Sequence, residues 1–138
     1  MTTPLTIERT VHFQRRSRGR KELQDGAAPV PPVLPPGRIP RVARLLALAH
    51  RFDGLIRTGA VRDYADLARL GRVTRARISQ LMNLLHLAPT IQEEILFLPR
   101  TERRRDPIIL ADLQPIASVM NWTKQRRMWE HLKAATSR

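Results

Sequence analysis

The chain has 138 residues, with 25 Lys or Arg against 12 Asp or Glu and a formal net charge of +13 at pH 7. That length allows one small domain with tails, and the charge favours a polyanionic partner, nucleic acid ahead of an anionic membrane. Without cysteine there are no disulfides, thiolate metal sites or thiol catalysis, and no apolar run approaches the roughly 18–20 residues of a membrane span. A soluble, cytoplasmic chain is expected, with no membrane partner. Aromatic residues make up only 4%, which argues against base stacking on single strands.

Residues 1–40 differ from the rest. Arg15, Arg16, Arg18, Arg20 and Lys21 form a basic cluster, and the proline-rich PVPPVLPPGRIP follows at 29–40. Proline fixes φ and removes backbone donors, which favours extended polyproline conformations. A disordered basic and Pro-rich leader is expected over 1–40. Val11, His12 and Phe13 would form a strand only on meeting a partner, and no strand is expected elsewhere.

From Arg41 the pattern turns helical, and a helical domain is expected over 41–135. Val42, Leu45, Leu46, Ala49, Phe52, Leu55 and Ile56 recur at three- and four-residue spacing, with Gly59 placed to close the helix. Asp63 caps a short second helix with Tyr64, Leu67 and Ala68 inward, and Gly71-Arg72-Val73 makes a turn. Thr74 caps a longer third helix with Ile78, Leu81, Met82, Leu84 and Leu85 as its apolar positions. Thr90 and Glu93 fit a capping box for a fourth. Pro115 is tolerable only in a first turn, which predicts a short helix near 112–119. Asn121 caps a last helix reaching about Ala135. The aromatic residues Phe52, Phe97, Trp122 and Trp129 are expected in the core, the two tryptophans on one face.

Two short helices joined by a tight turn are a geometry for placing the second helix in the DNA major groove. Its first turn and outward face select Thr74, Arg75, Ala76, Arg77, Ser79, Gln80 and Asn83 as base contacts. Arg bonds guanine O6 and N7 together, and Gln or Asn does the same for adenine N6 and N7. Arg69 and Arg72 at the turn, Arg103 and Arg104 in the loop after Pro99, and Lys124 and Arg126 on the last helix are candidate phosphate contacts, which add affinity without sequence choice. The leader could also lie in an adjacent minor groove. The histidines His12, His50, His86 and His131 are dispersed, so no metal is assigned. Asp63, Asp66, Glu93, Glu94 and Asp112 are explained as caps and exposed faces. No phosphate loop, nucleophile elbow or acid–base dyad is present. No enzyme activity and no cofactor are expected.

The segments ALAHRFDGLIRTGAVRDYADLA, ISQLMNLLHLAP, ILADLQPIA and NWTKQRRMWEHL, in that order and spacing, resemble the helical DNA-binding domain of ParB/KorB-like partition and repressor proteins. The resemblance covers about 48–132 and implies a helix-turn-helix fold and duplex binding. It departs at the turn, where glycine sits one place early at Gly71 and Arg72 stands at the usual glycine position. That family's nucleotide-binding and dimerisation domains have no counterpart in this chain, so CTP binding and a partition role are not implied. A looser similarity links the chain to small basic proteins encoded beside serine recombinases on bacterial mobile elements.

The expectation is therefore an all-α, compact multi-helix protein with a central helix-turn-helix. It would bind double-stranded DNA sequence-specifically, at the nucleoid, as a regulator or recombination accessory factor of a mobile element. One such helix reads about half a site, so tight specific binding calls for a homodimer or a tethered second module; for a homodimer the expected surface is the exposed side of 110–132. The main rival is a protein-interaction module for a recombinase, with only nonspecific nucleic-acid affinity. RNA binding through the leader is a third reading.

Overall fold

The computed structural model describes residues 3–15, 21–33 and 35–137, the side chain of Arg15 excepted. The chain divides into two units, Met1–Pro35 and Pro36–Arg138. The first carries strands β1 (Val11–Arg15) and β2 (Lys21–Asp25). The second carries helices α1 (Arg41–Arg57), α2 (Tyr64–Gly71), α3 (Arg75–Met82), α4 (Pro89–Leu96), α5 (Leu110–Ala117) and α6 (Trp122–Thr136), with a 3₁₀ turn at Asn83–His86.

The hairpin corrects the all-α expectation: the protein is mostly helical but includes a two-stranded antiparallel sheet. Val11 pairs with Asp25 and Phe13 with Leu23. The Gly26 N–H donates to the Thr10 carbonyl at 2.7 Å, and Arg9 pairs with Asp25 at 2.9 Å. Val11 to Gln14 alternate apolar and polar side chains, the period of a strand, but KELQD has Leu23 as its only apolar residue, so the pair does not stand out beside the charge. Arg16, Arg18 and Arg20 of the basic cluster lie outside the described residues. Residues 27–33 carry neither helix nor strand, in keeping with their prolines.

In the helical unit, residues just before α1 are tied to the loop after α4. Arg38 and Thr101 exchange backbone hydrogen bonds at 3.0 and 2.9 Å. Gly37 has φ of +92°, and a Cβ there would stand 3.1 Å from the Thr101 carbonyl oxygen, so a glycine is needed. The core is continuous. Val42, Leu46 and Ala49 of α1 meet Leu67, Ile78, Leu81, Leu84, Ile91, Ile95, Leu113 and Trp129, all buried. Apolar burial of about 25 cal/mol per Å² is the main term holding these helices together.

Local caps form where the residue types require them. Asp63 accepts from the Asp66 N–H at 2.9 Å, Thr74 from Arg77 at 3.2 Å and Asn121 from Lys124 at 3.1 Å. Gly59 takes φ of +77° just past α1.

Four expectations are overturned. Thr90 does not cap α4, which starts at Pro89 behind Ala88. Proline at the first helical position is preorganised there, and Thr90 Oγ1 instead accepts from Arg126 Nε at 3.4 Å. Pro115 lies inside α5 and not in its first turn, because Asp112 Oδ2 accepts from the Ile109 N–H at 3.0 Å and starts the helix at Leu110. The third helix is α-helical only to Met82 before it tightens into 3₁₀. Phe97 and Trp122 are not core: they are 80% and 49% exposed. Phe97 follows the last residue of α4 and Trp122 is the first of α6, so both project beyond the packed length of their helices. Trp129 is fully buried and Phe52 half-buried.

Candidate nucleic-acid interface

The turn between α2 and α3 is a Schellman motif. The Val73 N–H donates to the Ala68 carbonyl at 3.1 Å and the Arg72 N–H to Arg69 at 3.4 Å. Arg72 holds φ 53° and ψ 42°, the left-handed conformation, the one non-glycine residue with positive φ among those described. Gly71 remains helical at the end of α2. A β-carbon in the left-handed region costs about 1 kcal/mol, and the buried Ala68 and Ile78 on either side hold the turn in place.

This turn presents α3 with Ile78, Leu81 and Met82 inward. Thr74, Arg75, Ala76, Gln80 and Asn83 are exposed, and Arg77 and Ser79 half-buried. The sequence-derived base-contact set thus shares one face, with Asn83 on the first residue of the 3₁₀ turn. Among the described residues, no hydrogen bond or ion pair within the protein engages the side chains of Arg75, Arg77, Ser79, Gln80 or Asn83. Buried or paired polar groups would serve the fold; these are free for an external partner. The last turn of α3 is tied to α5 by Gln114 Nε2, which donates to the Gln80 carbonyl at 2.9 Å.

The candidate phosphate contacts fall into separate groups. Arg69 is engaged: its Nη2 lies 2.6 Å from Asp66 Oδ1. That hydrogen bond, with a second from the Arg62 N–H, holds the Asp66 carboxyl below the usual carboxylate range. Arg72 is exposed, and its side chain has no partner among the described residues. Arg103 and Arg104 are exposed, and their carbonyls accept from Arg38 Nη2 at 3.3 and 3.1 Å, leaving both guanidinium groups outward. Lys124 and Arg126 are exposed on α6, which packs against α5.

No family model, no curated protein and no solved structure matches this chain. The interface rests on its own geometry. No helix among the described residues is long and apolar enough to cross a membrane.

Sequence reasoning missed two features. Arg38, Arg41 and Arg44 lie with Arg77, Arg104 and Arg105 around one cleft of about 830 Å³. The three-residue spacing of Arg41 and Arg44 is the available signal, since it keeps those two side chains on one face of α1. Gln125 is buried, and its amide bonds Ala88, His86 and Val119. Nothing in the sequence separates it from a surface glutamine.

Proposed function

We propose that the helical unit binds double-stranded DNA, with α3 in the major groove and Thr74, Arg75, Ala76, Arg77, Ser79, Gln80 and Asn83 facing base edges. The observation that carries this reading is the bank of polar side chains on α3, unengaged within the protein and set at a capped, tightly turned helix start. The net charge of +13 supports it by favouring a polyanion. The protein needs no cofactor for this and performs no catalysis. It acts in the cytoplasm, at the nucleoid, as a regulator or recombination accessory factor of a bacterial mobile element, as the ParB/KorB-like resemblance suggests. Each α3 reads about half a site, so a homodimer assembles the full one.

Selection from a random duplex library at about 50 and 200 mM salt tests this, because phosphate binding falls steeply over that range and base readout persists. An enriched motif should survive the higher salt. The double substitution Arg75→Ala/Gln80→Ala should abolish the motif, at about 1–3 kcal/mol of discrimination per lost contact, while the melting temperature stays unchanged. Binding that vanishes with no motif would sink the reading. A second reading, a protein-interaction module for a recombinase, draws on Phe97, Met120 and Trp122, which stand 80%, 94% and 49% exposed. It predicts that Arg75→Ala/Gln80→Ala leaves partner binding intact.

A further inference from the structure

The arginine cleft beside α3 has an unbalanced charge. It is walled by the first turns of α1 and α5, the loop 104–107 and Arg77 of α3, and holds about 830 Å³. Six arginines and two aspartates line it, a net of +4. Both carboxylates already have partners. Asp106 pairs with Arg38 at 2.8 Å and accepts from the Arg41 N–H at 2.8 Å; Asp112 accepts from the Ile109 N–H. That leaves the guanidinium groups of Arg41, Arg44, Arg77, Arg104 and Arg105 without a partner among the described residues. Like charges gathered in one concavity repel one another and raise the local concentration of anions. The positive ends of two helix dipoles add to the same field.

We infer that this cleft is a phosphate-binding site, filled in the complex by the backbone of the duplex that α3 reads. Guanidinium forks match phosphate oxygens in pairs, which is the chemistry that selects this anion. Arg77 belongs to both surfaces: it sits on α3 and lines the cleft. At that edge it adds a phosphate anchor to the base-reading face, and the anchor fixes the register of Arg75 and Gln80 over the bases. Arg38 acts differently. Its guanidinium holds Asp106 and the Arg103 and Arg104 carbonyls, so it positions the loop that carries Arg104 and Arg105. The source of the phosphate rests on the DNA-binding reading; the site itself does not.

The full chain is compared with Arg44→Ala/Arg105→Ala, two exposed cleft residues, and with Arg51→Ala/Arg57→Ala, a charge-matched control on the far half of α1. Two probes are used: inorganic tripolyphosphate, followed by arginine Nε–H resonances, and a random-sequence duplex, followed by the slope of log affinity against log salt. Tripolyphosphate should perturb the cleft arginines saturably, and the cleft variant should lose that response. Each lost phosphate contact removes about 0.9 from the slope, so the cleft variant's slope should be shallower by about 2. Affinity should fall alike for all sequences. The control's slope should change much less. A saturable tripolyphosphate response without duplex binding by the unmodified chain would keep the site, overturn DNA as its source and refute the proposed function. A response lost in the cleft variant with its duplex slope unchanged would overturn the backbone as occupant while leaving the DNA reading intact. No saturable response together with an unchanged slope, or an equal loss in the control, would overturn the site.

Discussion

Arg72 shows how one position carries two demands of opposite sign. Its left-handed backbone closes the Schellman turn, where glycine would serve without a β-carbon penalty. Its exposed side chain is a candidate phosphate contact. Arg72→Gly should therefore stabilise the fold by about 1 kcal/mol, raising the melting temperature by roughly 4–8 °C. The same change should cut the DNA salt slope by about 1. Thermal melting and a salt titration on one variant read both effects. A drop in melting temperature would mean that the arginine side chain contributes to folding. The Gly71-Arg72 order was legible in the sequence as a departure, because the conformational cost of φ > 0 is local to a residue. Thr74, Asp63 and Asn121 were legible for the same reason: each cap joins a side chain to a backbone N–H three residues on.

At the scale of elements, Gln125 joins three of them. Its Oε1 accepts from the Ala88 N–H ahead of α4 at 2.7 Å, and its Nε2 donates to the His86 and Val119 carbonyls at 3.1 and 2.7 Å. It thereby docks α6 on the exit of the 3₁₀ turn and the end of α5. Gln125→Leu keeps much of the volume but leaves a donor and two acceptors without their partner, at about 1–3 kcal/mol for each one buried. A loss of about 3 kcal/mol is expected, read as a fall in melting temperature of more than about 10 °C. A near-wild-type melting curve would mean that water replaces the amide. The neighbouring elements also explain which expectations failed. Pro115 sits deep in α5 because Asp112 fixes the start at Leu110, and Thr90 is no cap because Pro89 takes the first helical position ahead of it, behind Ala88. Those outcomes turn on competition between nearby start signals, and local spacing does not rank them.

At the scale of the molecule, the helical unit is held by a continuous core and a few long-range polar ties. Glu94 of α4 accepts from Trp129 Nε1 at 2.9 Å and pairs with Lys133 at 2.6 Å, both on α6. The Lys133 hydrogen bond, then that of Trp129, holds the Glu94 carboxyl below its usual range. Glu94, then Glu130, holds the Lys133 ammonium above its own. The Glu94 contribution is present above the unfolded glutamate value of about 4.3 and is lost as pH falls through the lower folded value. The Lys133 contribution is full below about 10.4 and is lost as pH rises through the higher folded value. Melting temperature should thus plateau between these limits. Glu94→Gln should lower the plateau and flatten the acid limb, and an unchanged acid limb would remove Glu94 from the account. The effect is modest, at most about 1 kcal/mol, because Glu94 is half exposed to screening water.

By itself the sequence determined the helix starts at Asp63, Thr74 and Asn121, the apolar faces that make one core, and the polar set on α3. All of these depend on residues within one or two turns of each other, where spacing alone decides what meets what. The tertiary structure decided the rest. It buried Gln125, left Phe97 and Trp122 outside, and gathered Arg44, Arg77 and Arg105 from three segments around one cleft. Those placements depend on where helix ends fall once the core has packed, and packing is a property of the whole unit.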